Sequence, residues 1–326
     1  DLRRAIAAWC KRGIGLEADP DREITVTSGA TEALAAAMLG LINPGDEVVL
    51  FEPYYDSYRA CVAMAGGVPR FVTLRPHGER FTFDPAQLRT AFSAKTRAVV
   101  VNSPHNPTGT VFSKPELQQI TDLCREHNAV AISDEVYERL TYRPEQPHVS
   151  IASLEGMRER TVVISSIGKT FSLTGWKVGW AVASPDLTAG IRAAHQFLTF
   201  AVPTPLQHAC AVMLDLGDEQ STRIVAHNHA MLEKLRPALM DLGFRVYDPA
   251  GTYFIMAEHS AVSQRIGVLG DVELCRWLTS EAKVAAIPPS AFYQDGAEGS
   301  KYIRFAFCKR EETIDEAIRR LRSALG

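Results

Sequence analysis

Four short runs, VVLF (48–51), AVVV (98–101), AVAI (129–132) and TVVI (161–164), are apolar at nearly every position. A strand with one wet face alternates apolar and polar residues, so near-continuous apolarity marks strands buried on both faces. Helix-length patterns lie around them. ATEALAAAMLGLI follows the strand-like EITVTSG, YYDSYRACVAMAGG follows EVVLFEP and leads into the strand-like VPRFVTL, and KPELQQITDLCREHN opens with a proline in its first turn. Strands separated by helices of this length build βαβ units, and therefore a mostly parallel sheet with helices on both faces. After about Pro205 the pattern changes. A long helical stretch leads to the short strand-like runs RVYD, GTYFIMAE, VAAIP and YIRFAFC, interleaved with the helical VELCRWLTSEA and closed by EETIDEAIRRLRSAL. This half reads as a smaller α+β domain.

Ligands of a parallel sheet bind beyond the carboxyl ends of its strands. The unusual residues of this chain sit there: SGAT, EPYY, NSPHNPTG, SDEVY and SSIGK each follow a strand-like run. SGAT (Ser28–Thr31) opens a helix with small residues and free backbone N–H groups, which suits a phosphate; a plain cap by Ser28 or Thr31 is the alternative. Neither GxGxxG nor GxxxxGK[ST] occurs, which disfavours a dinucleotide or P-loop nucleotide. Asp134 and Glu135 end the run AVAIS, and a carboxylate there needs a partner. No His–Cys cluster stands at ligand spacing around Asp134, so no metal is expected; a cationic ring nitrogen would serve. Tyr137 lies three residues on. Lys169 follows TVVISS among small residues, and a partly desolvated lysine amine is a nucleophile toward carbonyls. Phosphate cradle, buried carboxylate, tyrosine and lysine together describe a site for pyridoxal 5′-phosphate (PLP). Ser166–Lys169 also fits the SxxK string of β-lactamases and penicillin-binding proteins. That chemistry needs its serine at a helix start, together with SDN and KTG. The chain has SDE and KTF, and Gly168 is poor inside a helical turn.

TVTSGATEAL, EPYYDSY, NSPHNPTG, ISDEVYERL, SSIGKTFSLTGWKVGW, GTYF and YIRFAFCK together span nearly the whole chain. In that set and order the sequence resembles the class I/II aminotransferases of PLP fold type I. The nearest subgroup is that of the kynurenine, glutamine and methionine aminotransferases and the related succinyldiaminopimelate aminotransferases. The resemblance implies an α/β large domain with a mostly parallel seven-stranded sheet over residues 1–225 and a small C-terminal domain over 226–326. It implies that Lys169 forms the Schiff base with PLP and shuttles the proton at the substrate Cα, and that Asp134 keeps the pyridine nitrogen protonated. Asn106 and Tyr137 would bond the phenolic oxygen, and Tyr55 would stack on the ring. Gly29, Ala30, Thr31, Ser166 and Lys177 would hold the phosphate. Arg304 would clamp the substrate carboxylate beside Asn106, its guanidinium suited to two parallel bonds. Phe200 would reach the site of the neighbouring protomer in a homodimer with shared active sites.

Family members begin some tens of residues earlier, with an arm carrying a glycine-containing substrate loop and an aromatic that reaches the partner's phosphate. A chain truly lacking that arm is expected to bind PLP weakly or be inactive. Members that prefer dicarboxylic substrates supply a second arginine near residues 195–203, and HQFLTFAVP has none. The expected donors are therefore aromatic, methionine-like or glutamine-like amino acids, with a 2-oxo acid as acceptor. Three alternatives keep the same motifs: an N-succinyldiaminopimelate aminotransferase, a PLP-dependent carbon–sulfur β-lyase, and the ligand-sensing domain of a transcription regulator. The net charge of −3 shows no basic stripe for nucleic acid, and no apolar run approaches the ~18 residues of a membrane span. DLRRAIAAWCKRG lacks a signal-peptide layout and reads as an amphipathic helix with Leu2, Ile6 and Trp9 on one face. Six cysteines without a CxxC are expected to be buried thiols in a reducing compartment, the cytoplasm.

Overall fold

The computed structural model describes residues Asp1–Gly326. Its strands are β1 (Ile24–Thr27), β2 (Glu47–Glu52), β3 (Val68–Thr73), β4 (Arg75–His77), β5 (Arg80–Thr82), β6 (Thr96–Asn102), β7 (Val130–Asp134), β8 (Thr161–Ser166), β9 (Gly179–Val182), β10 (Arg245–Val246), β11 (Phe254–Glu258) and β12 (Tyr302–Ala306). Seven of them form the main sheet in the order β1-β9-β8-β7-β6-β2-β3. From β8 to β3 every neighbouring pair is parallel, as the apolar runs predict. β9 runs antiparallel to both β8 and β1. The reason is local. Residues 167–178 hold only a single α-turn and a short 3₁₀ turn, too little to cross a sheet face, so the chain doubles back. The strand EITVT therefore neighbours β9 and not the strand that follows it in sequence.

Successive residues of the central strands go to opposite faces. Val48, Leu50, Val100, Ile132 and Ile164 pack against the helices Gly29–Leu41, Asp56–Met64 and Pro185–Leu198. Val49, Phe51, Val99, Val101 and Ala131 pack against Pro85–Ala91 and Lys114–Glu126. On the first face, Gly40 and Gly190 let two helices touch at the backbone: a Cβ on Gly40 would stand 2.2 Å from the Gly190 oxygen. The N-terminal helix Leu2–Ile14 buries Leu2, Ile6 and Trp9, the face read from the sequence, with Ala5 and Cys10 added. β4 and β5 form a hairpin around Gly78 that the strand patterns did not disclose.

β10, β11 and β12 make an antiparallel sheet with its own core, which includes Leu235, Phe244, Ile255, Ile303, Phe305 and Leu321. The helix Asp218–Asp241 runs through the position 225/226 unbroken and belongs in its second half to this core. Arg236 anchors it to Asp248 at 2.9 Å, and Arg143 binds the same carboxylate from the other half. Five cysteines are buried and free. Cys308 departs from expectation in being partly exposed, because it follows the end of β12. No helix is long and apolar enough to cross a membrane.

Candidate active site

β1 ends at the helix Gly29–Leu41, whose N-cap is Ser28. The Ser28 side chain makes no cap bond, and Thr31 supplies none, so the capping alternative for SGAT fails. Glu32 instead accepts the Ser28 N–H at 3.0 Å, and His195 Nδ1 approaches the same carboxylate at 3.0 Å. The amides of the first turn, Gly29 to Thr31, face a cavity of about 300 Å³. Gly29 is left-handed (φ 76°), and Lys177 beside it shares that conformation (φ 53°). Gly179 lets β9 approach this turn closely: a Cβ there would lie 2.6 Å from the Gly29 carbonyl carbon and 2.7 Å from the Ala30 nitrogen. Gly179→Ala is therefore expected to spread the cup and weaken PLP binding by about tenfold or more, read by titrating cofactor into the cofactor-free protein.

β7 ends at Asp134, which is buried. Oδ2 accepts the Tyr58 hydroxyl at 2.6 Å and Oδ1 the Val136 N–H at 3.3 Å, yet no cation pairs with the carboxylate. Burial pushes its pKa up to about 6, against the opposing pull of the Tyr58 and Val136 bonds and the Lys169 charge. Tyr137, one turn on, is also buried, and burial together with Tyr253 raises its hydroxyl well above the ordinary value. Glu135 points away, held by Ser133, Ser150 and His148.

β8 ends at Ser166, the N-cap of a single helical turn Ile167–Thr170 that carries Lys169. Gly168 is thus accommodated in a helical turn, contrary to the sequence expectation, and the serine does stand at a helix start. The SDN and KTG partners of the SxxK chemistry remain missing. Lys169 Nζ lies 5.9 Å from the Tyr137 ring centroid and 5.8 Å from that of Tyr253. β12 brings Arg304 to the opposite wall. Ile303 and Phe305 enter the small core, so Arg304 faces the cavity as the alternation predicts. Its Nη1 donates to Asn106 Oδ1 at 2.9 Å, and its guanidinium stacks 4.2 Å from the Phe254 ring and 5.1 Å from that of Phe292. Burial pushes its pKa down, against the smaller opposing pull of Tyr137, Tyr253 and Asp56.

Gly29, Ala30, Thr31, Tyr55, Asn106, Asp134, Tyr137, Ser166, Lys169, Lys177 and Arg304 all line this one cavity. Phe200 does not. It is 76% exposed, just beyond the helix Pro185–Leu198, beside exposed Phe197 and Leu198. Sequence reasoning missed Tyr58 and Asn102. Tyr58 stands three residues after Tyr55 on the same helical face, a spacing that could have found it. Asn102, the first residue of NSPHNPTG, carried no separate signal.

The cavity suits PLP on its own geometry. The first-turn amides and Lys177 would suit a phosphate, the buried carboxylate without a cation would suit a pyridinium, and Lys169 lines the same cavity. A doubly covered, mostly parallel sheet with such a site at its carboxyl rim is the arrangement of PLP-dependent enzymes of fold type I. The chain belongs to the family of class I and II aminotransferases, whose model matches residues 1–321. The probable N-succinyldiaminopimelate aminotransferase of Mycobacterium tuberculosis is 45% identical to it, over 98% of this chain and 81% of the relative. The methionine aminotransferase of Escherichia coli is 42% identical, with 98% and 81% covered. The solved structure of N-succinyldiaminopimelate aminotransferase from M. tuberculosis superposes with a TM-score of 0.95 at 46% identity, covering 99% of this chain and 83% of that one.

Proposed function

We propose that the protein transfers the amino group of an aromatic, methionine-like or glutamine-like L-amino acid to 2-oxoglutarate or another 2-oxo acid. The convergence of Lys169, Asp134 and Arg304 on one cavity carries this reading. Bound PLP supplies an aldehyde for amines and a ring that accepts the electrons freed at the substrate Cα. The chain supplies the rest. Lys169 would supply the amine for the cofactor's aldehyde and would move the proton at the substrate Cα. Asp134 would favour a protonated ring nitrogen. Asn106, Tyr137 and Tyr55 would hold the ring, and the first-turn amides of Gly29, Ala30 and Thr31, with Ser166 and Lys177, would hold the phosphate. Arg304 binds the substrate carboxylate through its planar fork.

The donor preference follows from the charges that remain. Arg304 is the one arginine on the cavity wall. Arg192, the nearest arginine before residues 195–203, is engaged with Thr25 and with the Asp21 and Ile24 carbonyls. An aspartate side-chain carboxylate would enter unpaired, which costs several kcal/mol on the order of a broken buried ion pair. The name of the M. tuberculosis relative supports a second reading, N-succinyldiaminopimelate as donor. A panel of donors (methionine, phenylalanine, kynurenine, glutamine, N-succinyldiaminopimelate, aspartate) against 2-oxoglutarate and pyruvate tests both. Aspartate as best donor overturns the main reading. Pyruvate released from cystathionine without added oxo acid would place the protein among the β-lyases.

The exposed Phe197, Leu198 and Phe200 support a homodimer in which a second copy covers this face and Phe200 reaches the partner's cavity. The distinct core around β10–β12 supports a division near 225 into a PLP-binding domain and a small domain joined by the shared helix, although Tyr247, Met256 and Tyr302 pack into the main-sheet core. A cytoplasmic location accords with six free cysteines.

A further inference from the structure

Asn102 ends β6 with 3% of its surface exposed. Both edges of its side-chain amide are engaged. Nδ2 donates to the Asp134 carbonyl at 2.9 Å, and Oδ1 accepts the Asn106 backbone N–H at 2.8 Å. Asn106 Oδ1 then accepts Arg304 Nη1 at 2.9 Å. Arg304 forms no salt bridge; Asn106 is its one side-chain hydrogen-bond partner, its guanidinium stands over the rings of Phe254 and Phe292, and Tyr137, Tyr253 and Asp56 act on it only through their charge. One hydrogen-bonded chain therefore runs from the Asp134 backbone through Asn102 and Asn106 to the Arg304 guanidinium. The amide is planar, with its donor and acceptor on fixed edges, so a shift at one end turns the other.

We propose that Asn102 is a positioning residue that aims Arg304 at the substrate carboxylate, acting through Asn106 and referenced to the end of β7. The proposal rests on Arg304 being the carboxylate clamp. A flexible guanidinium stacked between two rings still slides in their planes. Its polar anchor is what sets direction, and that anchor's backbone hangs on Asn102.

The test uses the PLP-loaded protein and 3-phenylpropanoate, a monocarboxylate with no amino group to react. Its dissociation constant is measured by calorimetry, beside KM and kcat for the best donor and the melting temperature. Asn102→Ala is expected to weaken 3-phenylpropanoate binding and raise KM by about tenfold, with kcat within about threefold, the scale of one lost buried hydrogen bond. In an Asn106→Ala background the same substitution is expected to add less than about twofold, because the link is already cut. Equal factors in both backgrounds overturn the proposal. So does an unchanged carboxylate affinity with only a lower melting temperature, which makes Asn102 merely structural. If Asn102→Ala does not fold, Asn102→Ser is used. Its single hydroxyl can serve one partner and not both, and a loss of about threefold is expected; unchanged affinity there overturns the proposal. Arg304→Leu separates the two readings. If it leaves 3-phenylpropanoate binding intact, the clamp assignment itself fails. If it abolishes binding while the Asn102 variants do not, only the role of Asn102 fails.

Discussion

Lys169→Ala is expected to lower turnover on the order of 10⁴-fold or more, because one side chain both holds the cofactor and moves the proton. The visible absorbance of the lysine-linked cofactor should vanish with it. The fold should not suffer. The Lys169 amine forms no salt bridge, and its side chain is only partly buried on a one-turn helix. Substitutions of that kind usually change stability by less than about 0.5 kcal/mol. Unchanged circular dichroism and melting, beside lost absorbance and turnover, is the expected pattern. Normal transamination by the variant would show that another amine does the chemistry.

Asp134→Ala is expected to retain some cofactor, since the phosphate cup is untouched, but to lose most of the rate. Removing one partner of a buried charge pair costs about 3–5 kcal/mol, which corresponds to roughly 10²–10⁴-fold. Near-normal kinetics would contradict the role assigned to Asp134. The same residue makes a pH prediction for the cofactor-free protein. Its folded pKa, raised to about 6 chiefly by burial, lies above the ordinary aspartate value. The protonated carboxyl therefore contributes stability that is fully present below about pH 4 and is lost as pH rises through about 6. Relative to Asp134→Asn, which cannot ionise, the cofactor-free protein should lose about 3 kcal/mol across that window. Denaturant melts of both at pH 4 and pH 7 measure the difference. A constant difference would mean that Asp134 stays ionised without its cation. Saturating PLP should flatten the dependence, because the ring nitrogen then keeps the carboxylate charged.

Much of this was legible in the residues. The apolar runs around Val49, Val99, Ile132 and Ile164 disclosed a sheet buried on both faces, because only such strands tolerate apolar side chains at every position. Residues at the ends of those runs were legible as a site because a parallel sheet gathers its carboxyl ends on one rim. The reversal of β9 was not legible, since no local pattern distinguishes a short return from a crossover. Nor was the β4–β5 hairpin, whose exposed Arg75 and His77 and half-buried Arg80 alternate too weakly to register. Tyr58 and Asn102 escaped for a different reason. Their partners, Asp134 and Asn106, lie on other elements or across a loop, and their importance is a matter of hydrogen bonds that the one-dimensional order does not contain.

By itself, the sequence disclosed the sheet type, the rim and the lysine and carboxylate at its strand ends, because these follow from local periodicity and from chemistry carried by single side chains; the arginine came only from the resemblance to the family. Tertiary structure alone decided how they bear on one another. It set Gly179 against the phosphate turn, left Asp134 buried with a tyrosine and no cation, and stacked Arg304 between two rings with one amide to aim it. Those relations depend on burial and on distances between segments far apart in the chain, which exist only once both faces of the sheet are covered.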